Sequence, residues 1–435
     1  MKQIEKMEKQ LNSNYKEERL QAAQELRKLI TEGKIPAVLR KEECNNHVHS
    51  QFSFSPYSPS MIAWMAYKSG LKVCGIIDHE SVSGCREFIE ACRILGVIPT
   101  IGFELRLSCG QTPLKGKRLN NQDQLSIGYF PVHGLPVQSI DKVEEFLQPI
   151  RRAREKRNRK MTEKLNHMMK GYGISIDFDQ DVIPVSKWDQ GGSITERHIL
   201  YALALAMIQK LGIGMGIVGF VENELSIPLT EKARGYLADT ENEVYAYDLT
   251  NVLKGHFTNA MYVETEIEET PDVRTVLPFL NRLGCIPTYI YIGDTRGGSN
   301  MPDDRKVQKF EDDHLEELFE CLSSYGLRAV SYVPSRNDVD QVMRIRKICR
   351  QYGMFEICGE DINQPRQSFI CSHKSEADRD FFNSSTRALV GHEFLADQDL
   401  SASFISDQTV ERIPDLDERV DYYKRFATVL DGNGK

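Results

Sequence analysis

Apolar positions in the first 33 residues (Ile4, Met7, Leu11, Leu20, Ala23, Leu26 and Ile30) recur mostly every three or four residues, which predicts one or two amphipathic helices ahead of the main fold. From Glu43 the pattern changes to short apolar runs separated by helical stretches, and residues 73–77, 98–102, 125–129, 286–292, 329–333 and 355–358 are predicted strands. Such alternation argues for an α/β fold with a parallel sheet, and a barrel is its natural closed form. Between 143 and 275 the rhythm breaks: a long, basic helix is predicted over 144–170 and an apolar one over 194–211. Beyond about residue 375 the chain is polar with little β character, as expected of helices packed on the outside. The predicted organisation is an N-terminal helical arm (1–42), a first barrel part (43–142), a mostly helical insertion (143–275), a second barrel part (276–375) and a C-terminal helical extension (376–435).

Composition narrows the partners. With 435 residues and 40% hydrophobic content the chain can bury a large core. A net charge of -8 gives the whole molecule no long-range attraction for nucleic acid or an anionic membrane, so neither is an expected partner. An anionic substrate must be held by local positive charge. The basic run from Arg151 to Lys160 lacks interleaved aromatics and reads as a solvated helix face. Ten cysteines without a C-x-x-C pair read as reduced core thiols. The charged N-terminus and the lack of any long apolar run predict a soluble, cytoplasmic protein.

Four stretches carry candidate chemistry. In Asn46-His47-Val48-His49-Ser50 the two imidazoles, two residues apart on an extended segment, share a face and can reach one ion. Val73 to Glu80 is a strand-like run ending in Asp78 and His79, Ile98 to Glu104 ends in a carboxylate, and Phe355 to Asn363 places Asp361 just past a strand. Reacting groups of α/β folds cluster at the carboxyl ends of strands.

The order H-x-H, strand-D-H, strand-G-x-E, late strand-G-x-D resembles the PHP (polymerase and histidinol phosphatase) family of metal-dependent phosphoesterases. Ser58-Pro59, Ala66-Tyr67-Lys68-Ser69-Gly70-Leu71 and Asp78-His79-Glu80-Ser81-Val82-Ser83-Gly84 extend the likeness, which covers 44–108 best and 283–363 in register. The resemblance implies a distorted seven-stranded β/α barrel whose mouth holds divalent metal ions and cleaves phosphoesters with a metal-bound hydroxide. His47, His49, Glu104 and Asp361 match the best-kept metal position, His79 belongs to the outer ligand set, and Asp78 is the catalytic carboxylate candidate. Zn²⁺, Mn²⁺ or Fe²⁺ suits these donors, one or two ions per chain. The expected substrate is a small phosphorylated metabolite or nucleotide. Thr195-Glu196-Arg197-His198-Ile199 resembles the family's Arg-Pro-His-Ile-Ala segment without its proline, making Arg197 and His198 candidate phosphate contacts. Arg336 and Arg366 follow strands aimed at the mouth and are further candidates.

The chain departs from the family at the outer ligands. Their places hold Phe54 or Ser55, Leu125, Tyr291 and Asn363, and His133 or Asp294 are candidate replacements. The alternative reading is therefore a degenerate PHP protein that keeps an ion but serves as a binding or regulatory module. Another metal-dependent hydrolysis on the same barrel is the third.

Overall fold

The computed structural model describes residues 2–39, 42–295 and 308–432. Seven strands, β1 (Cys44–Val48), β2 (Val73–His79), β3 (Ile98–Ser108), β4 (Ile127–His133), β5 (Ile286–Tyr291), β6 (Ala329–Tyr332) and β7 (Phe355–Cys358), form one sheet in sequence order. The helices are α1 (Lys2–Gln10), α2 (Lys16–Thr31), α3 (Pro59–Lys68), α4 (Cys85–Leu95), α5 (Ile140–Met169), α6 (Ile183–Ser186), α7 (Glu196–Leu211), α8 (Met215–Gly219), α9 (Glu231–Ala238), α10 (Tyr245–Met261), α11 (Val273–Arg282), α12 (Leu315–Ser324), α13 (Val339–Tyr352), α14 (Glu376–Ala396), α15 (Asp407–Arg412) and α16 (Leu416–Gly432).

The sheet curls until the chain just past β7 meets β1. The Ile362 N–H donates to His47 O (3.1 Å) and the His49 N–H to Ile362 O (2.9 Å), closing the seam. Pairing is parallel from β1 to β3 and from β5 to β7, as the alternation predicts. It is antiparallel on both sides of β4, a correction to the all-parallel expectation. No helix separates β3 from β4, and without a crossover the chain can return only as an antiparallel neighbour. The β3–β4 pair also overhangs its neighbour: β2 stops level with Glu104, while β3 runs on through Arg106 to Ser108.

Two features hold this frame. The N-terminal arm is tied down by a buried ion pair, in which Arg19 Nε donates to Glu87 Oε1 at 2.8 Å, and by Trp64 Nε1 donating to Glu8 at 2.8 Å. At the opposite end of the chain, Leu389, Val390, Phe404, Tyr423 and Ala427 pack on the first residues of five strands, Cys44, Val73, Ile286, Ala329 and Phe355. The C-terminal helices thus plug the amino end of the barrel and leave its carboxyl end to the site. The second half of α5 and the helices up to Met261 share an apolar core of their own, built around Leu165, Leu203, Ile217 and Leu249, while Ile140, Val143, Leu147 and Ile150 of α5 pack in the barrel core. Among the described residues no single helix is long and apolar enough to cross a membrane.

Candidate metal centre

Strand β1 is buried along its whole length, so its polar residues face partners and not water. Asn46 donates to Cys358 O (2.9 Å) and to Thr386 Oγ1 (2.8 Å), lashing β1 to β7 and α14. Gly359 permits this approach, because a Cβ there would lie 2.5 Å from His47 N. His47 and His49 then point to one spot, with their Nε2 atoms 3.2 Å apart. Glu104 Oε2 lies 3.5 Å from His47 Nε2, and Asp361 Oδ1 lies 3.1 Å from His49 Nε2. The β2–β3 register sets His79 level with Glu104, whose Oε1 is 2.9 Å from His79 Nδ1.

These contacts converge as a cation site would. Two neutral imidazole nitrogens facing each other share at most one hydrogen, so a lone pair is left aimed at two carboxylates. Burial pushes His47 down to about 4, and burial also keeps His79 well below the ordinary imidazole value. Burial opposes a proton on His49 too, but Asp361 and Glu104 beside it win and raise its affinity. Burial likewise works against a charged Asp361, yet His49, His47 and Arg197 hold its carboxyl well below the usual range. His47, His49 and Asp361 each offer a donor atom within 4.8 Å of the others, and this nitrogen and oxygen set fits Zn²⁺, Mn²⁺ or Fe²⁺.

The centre opens into a cavity of about 190 Å³ reaching from His79, Glu104 and Asp361 to Arg197, Lys254 and Arg336. Asn363 links metal donors to wall: its Nδ2 donates to Asp361 Oδ1 at 2.7 Å and its Oδ1 accepts from Arg197. Arg197 sits over Phe54, 6.0 Å from the ring centroid. Among the described residues neither Arg197 nor Lys254 has a carboxylate at ion-pair distance, and Arg197, more than burial, presses Lys254 down to about 8.

Behind this wall lies a charge network. Arg151, Arg154 and Arg157, on one side of α5, are each about 5% exposed or less, so the solvated-face reading of the basic run is overturned there. Arg154 bonds Glu80 and, at 2.9 Å, Glu196; Arg157 bonds Glu196 and, at 2.8 Å, Glu269; Arg106 also joins Glu269. Arg151 donates to Glu80 O at 3.0 Å. Glu80 lies next to His79, so α5 is clamped to the ligand strand.

Several predicted site residues fall elsewhere. Asp78 does not line the cavity: its carboxylate accepts from Ser50 N–H (2.6 Å), Ser50 Oγ (2.6 Å) and Ser53 Oγ (2.7 Å), and Ser53 in turn contacts His49 Nδ1 at 3.3 Å. That makes Asp78 a positioning residue behind His49. His198 caps α7, with its Nδ1 accepting the Thr195 N–H at 2.9 Å. Arg366 turns away to Asp248 (2.8 Å) and over the Tyr236 ring (3.8 Å), so it braces α10. Asp294 is taken by the Phe310 N–H (2.7 Å) and Lys309 (2.8 Å). His133 lies behind His47, ring centroids 6.4 Å apart. Leu125 precedes β4 and is 51% exposed, while Tyr291 points outward to Asp312 (2.6 Å) and its neighbours Ile290 and Ile292 face the cavity. Of the outer positions, Phe54 and Asn363 do border the site. Arg154 and Arg157, which the basic run presents as solvated, and Lys254, which stands in no motif, also line the cavity.

The PHP domain family model matches residues 45–179, the stretch holding His47, His49, His79 and Glu104. No curated protein sequence matches the chain. Among solved structures, a proposed metal-dependent phosphoesterase of Bifidobacterium adolescentis is similar at 17% identity and a TM-score of 0.48, over 76% of this chain and 92% of that one. An amidohydrolase of Chromobacterium violaceum, solved with sulfate and no metal, is similar at 15% identity and a TM-score of 0.48, over 75% and 89%. Residues 45–179 thus match the PHP domain, and with the donor cluster this supports a metal-dependent hydrolase.

Proposed function

We propose that this PHP-domain chain hydrolyses a phosphoester of a small phosphorylated metabolite or nucleotide. One observation carries the reading: a cavity joins a cluster of metal donors to two cations, Arg197 and Lys254, that among the described residues have no carboxylate at ion-pair distance. An anion is the missing partner, and phosphate satisfies both ends of the cavity.

His47, His49, Glu104 and Asp361 would hold one divalent ion, and His79 with Glu104 a second. An ion bound by these donors supplies a lowered pKa for water and positive charge for the phosphoryl oxygens. The chain's own residues do the rest. Arg197 presents a planar guanidinium that can fork onto two phosphate oxygens. Lys254 adds a point charge, and Asn363 keeps Arg197 in register with Asp361. Arg336 borders the same cavity and reaches a substrate group farther from the donors. The helices of 143–275 act as a substrate-facing insertion, since Arg197, Lys254, Arg154 and Arg157 all come from them. Phe54 gives the cavity an aromatic face suited to a sugar or base, and Tyr201 and Tyr247 pack against that ring from outside the cavity lining.

A second reading, a module that keeps an ion without hydrolysis, is favoured by Phe54 at an outer ligand position and by the absence of Asp294, Leu125 and Tyr291 from the cavity. Metal analysis of the purified protein with a screen of phosphorylated metabolites in Mn²⁺ separates the two. Hydrolysis lost in His49→Ala and Glu104→Gln together with bound metal, at unchanged far-UV circular dichroism, supports the enzyme. Metal retained in full by both variants refutes the site, and bound metal without turnover of any phosphoester selects the second reading.

A further inference from the structure

We propose that Cys358, Cys371 and His373 form a separate metal site, for a thiophilic divalent cation such as Zn²⁺, which ties down the segment carrying Asp361. The three side chains offer donor atoms within 4.8 Å of one another. Two sulfurs at about 2.3 Å from a tetrahedral ion stand about 3.8 Å apart, so the donors close by about 1 Å at most. Cys358 and Cys371 are buried, whereas His373 is part-exposed.

A second observation points the same way. Both ring nitrogens of His373 are buried without a hydrogen-bond partner, and so is Glu43 Oε2. A neutral imidazole with two unsatisfied buried nitrogens loses the solvation of both. A cation on one nitrogen removes half of that deficit. Glu43 and Asp378 are the carboxylates facing the ring, and Arg379 the facing cation. A carboxylate behind a ligating histidine fixes its tautomer and strengthens it as a donor. Phe382 stacks on the ring at 5.9 Å and limits its rotation.

The chemistry balances without a further reagent. Binding converts two thiols to thiolates and releases two protons to solvent, leaving two negative charges against the dication. A solvent water can complete the tetrahedral set; Cys44, within hydrogen-bonding reach of Cys358, could do so instead only by binding as a third thiolate with release of a third proton. Position gives the site a purpose: Cys358 is the last residue of β7, and Cys371 and His373 close the following segment. Asp361 and Asn363 lie between, so an ion there closes a short loop around the late metal ligand of the main centre.

The test uses Co²⁺ on the full-length protein, purified under reducing conditions and freed of metal with a chelator. Thiolate bound to tetrahedral Co²⁺ produces sulfur-to-metal charge-transfer absorption, which a centre of imidazoles and carboxylates does not. We expect this band to saturate at one equivalent per chain, to fall at least tenfold in Cys358→Ser and Cys371→Ser, to weaken in His373→Ala, and to persist in His49→Ala. Its persistence in His49→Ala separates this site from the hydrolase centre. Should the cysteine variants not fold, the wild-type titration and the part-exposed His373→Ala decide. A wild-type protein without the band, a band unchanged in the cysteine or histidine variants, or a Cys358–Cys371 disulfide in place of metal overturns the proposal.

Discussion

Lys254 allows a quantitative test of the cavity as an anion site. Its ammonium, pressed down by Arg197 and by burial, titrates near 8, against 10.5 in the open. The difference is worth about 3 kcal/mol at 1.36 kcal/mol per unit, and the part-exposure of the side chain reduces it to about 1–2 kcal/mol. Because the folded value is the lower one, the cost is fully present below pH 8 and is relieved as pH rises from 8 toward 10.5. Lys254→Met should therefore stabilise the ligand-free protein at pH 7 by about 1–2 kcal/mol and remove the rise in stability above pH 8. Anion binding should show the reverse trend, because only the charged amine attracts phosphate. Affinity for inorganic phosphate should fall up to about tenfold from pH 8 to pH 9, with proton uptake on binding, measured by titration calorimetry in buffers of different ionisation enthalpy. Arg197→Gln should move that break to higher pH. A break that survives in Lys254→Met, or no gain in its stability at pH 7, would refute both the assignment and the electrostatics behind it.

Three further outcomes follow from the geometry. Gly359→Ala sets a Cβ at 2.5 Å from the His47 backbone and should destabilise by about 1–3 kcal/mol in chemical denaturation while lowering bound metal, through displacement of β1 from β7. Arg154→Met leaves Glu80 with a weaker counter-charge and should cost about 3–5 kcal/mol; a loss under 1 kcal/mol would mean that water already reaches the network. Phe54→Asp with Asn363→His should raise the metal count, whereas Leu125→His and Tyr291→His should not, since their side chains are outside the cavity.

The sequence shows most of the frame because an apolar run is a local signal, and β2, β5, β6 and β7 start at or within a residue of their predicted positions. Strand direction is not local. The antiparallel β4 follows from the missing helix before it, a cue that a general α/β expectation overrides. Register is similarly hidden in β5, where both faces are buried and no alternation tells Tyr291 from Ile290. Among the site residues, His47 and His49 are legible as a pair two apart, and Glu104 and Asp361 as carboxylates ending strands. Arg154 and Arg157 look solvated in the sequence because their partners Glu80 and Glu269 lie 74 and 112 residues away, and a charge without a visible partner reads as exposed. Lys254 carries no local sign at all, since its only mark is the cation across the cavity.

The plug at the amino end of the barrel also sets an order of events during synthesis. Five strands rest their first residues on α14 and α16, and β1 closes against the chain beyond β7, so the ends of the chain meet last. A nascent chain holding only β1 to β4 has neither the other edge of the sheet nor its floor. The second half of α5 and the helices up to Met261, having a core of their own, are complete much earlier. On the ribosome the helical unit can thus fold beside an open half-barrel, whose exposed apolar strand ends need shielding until α14 and α16 emerge.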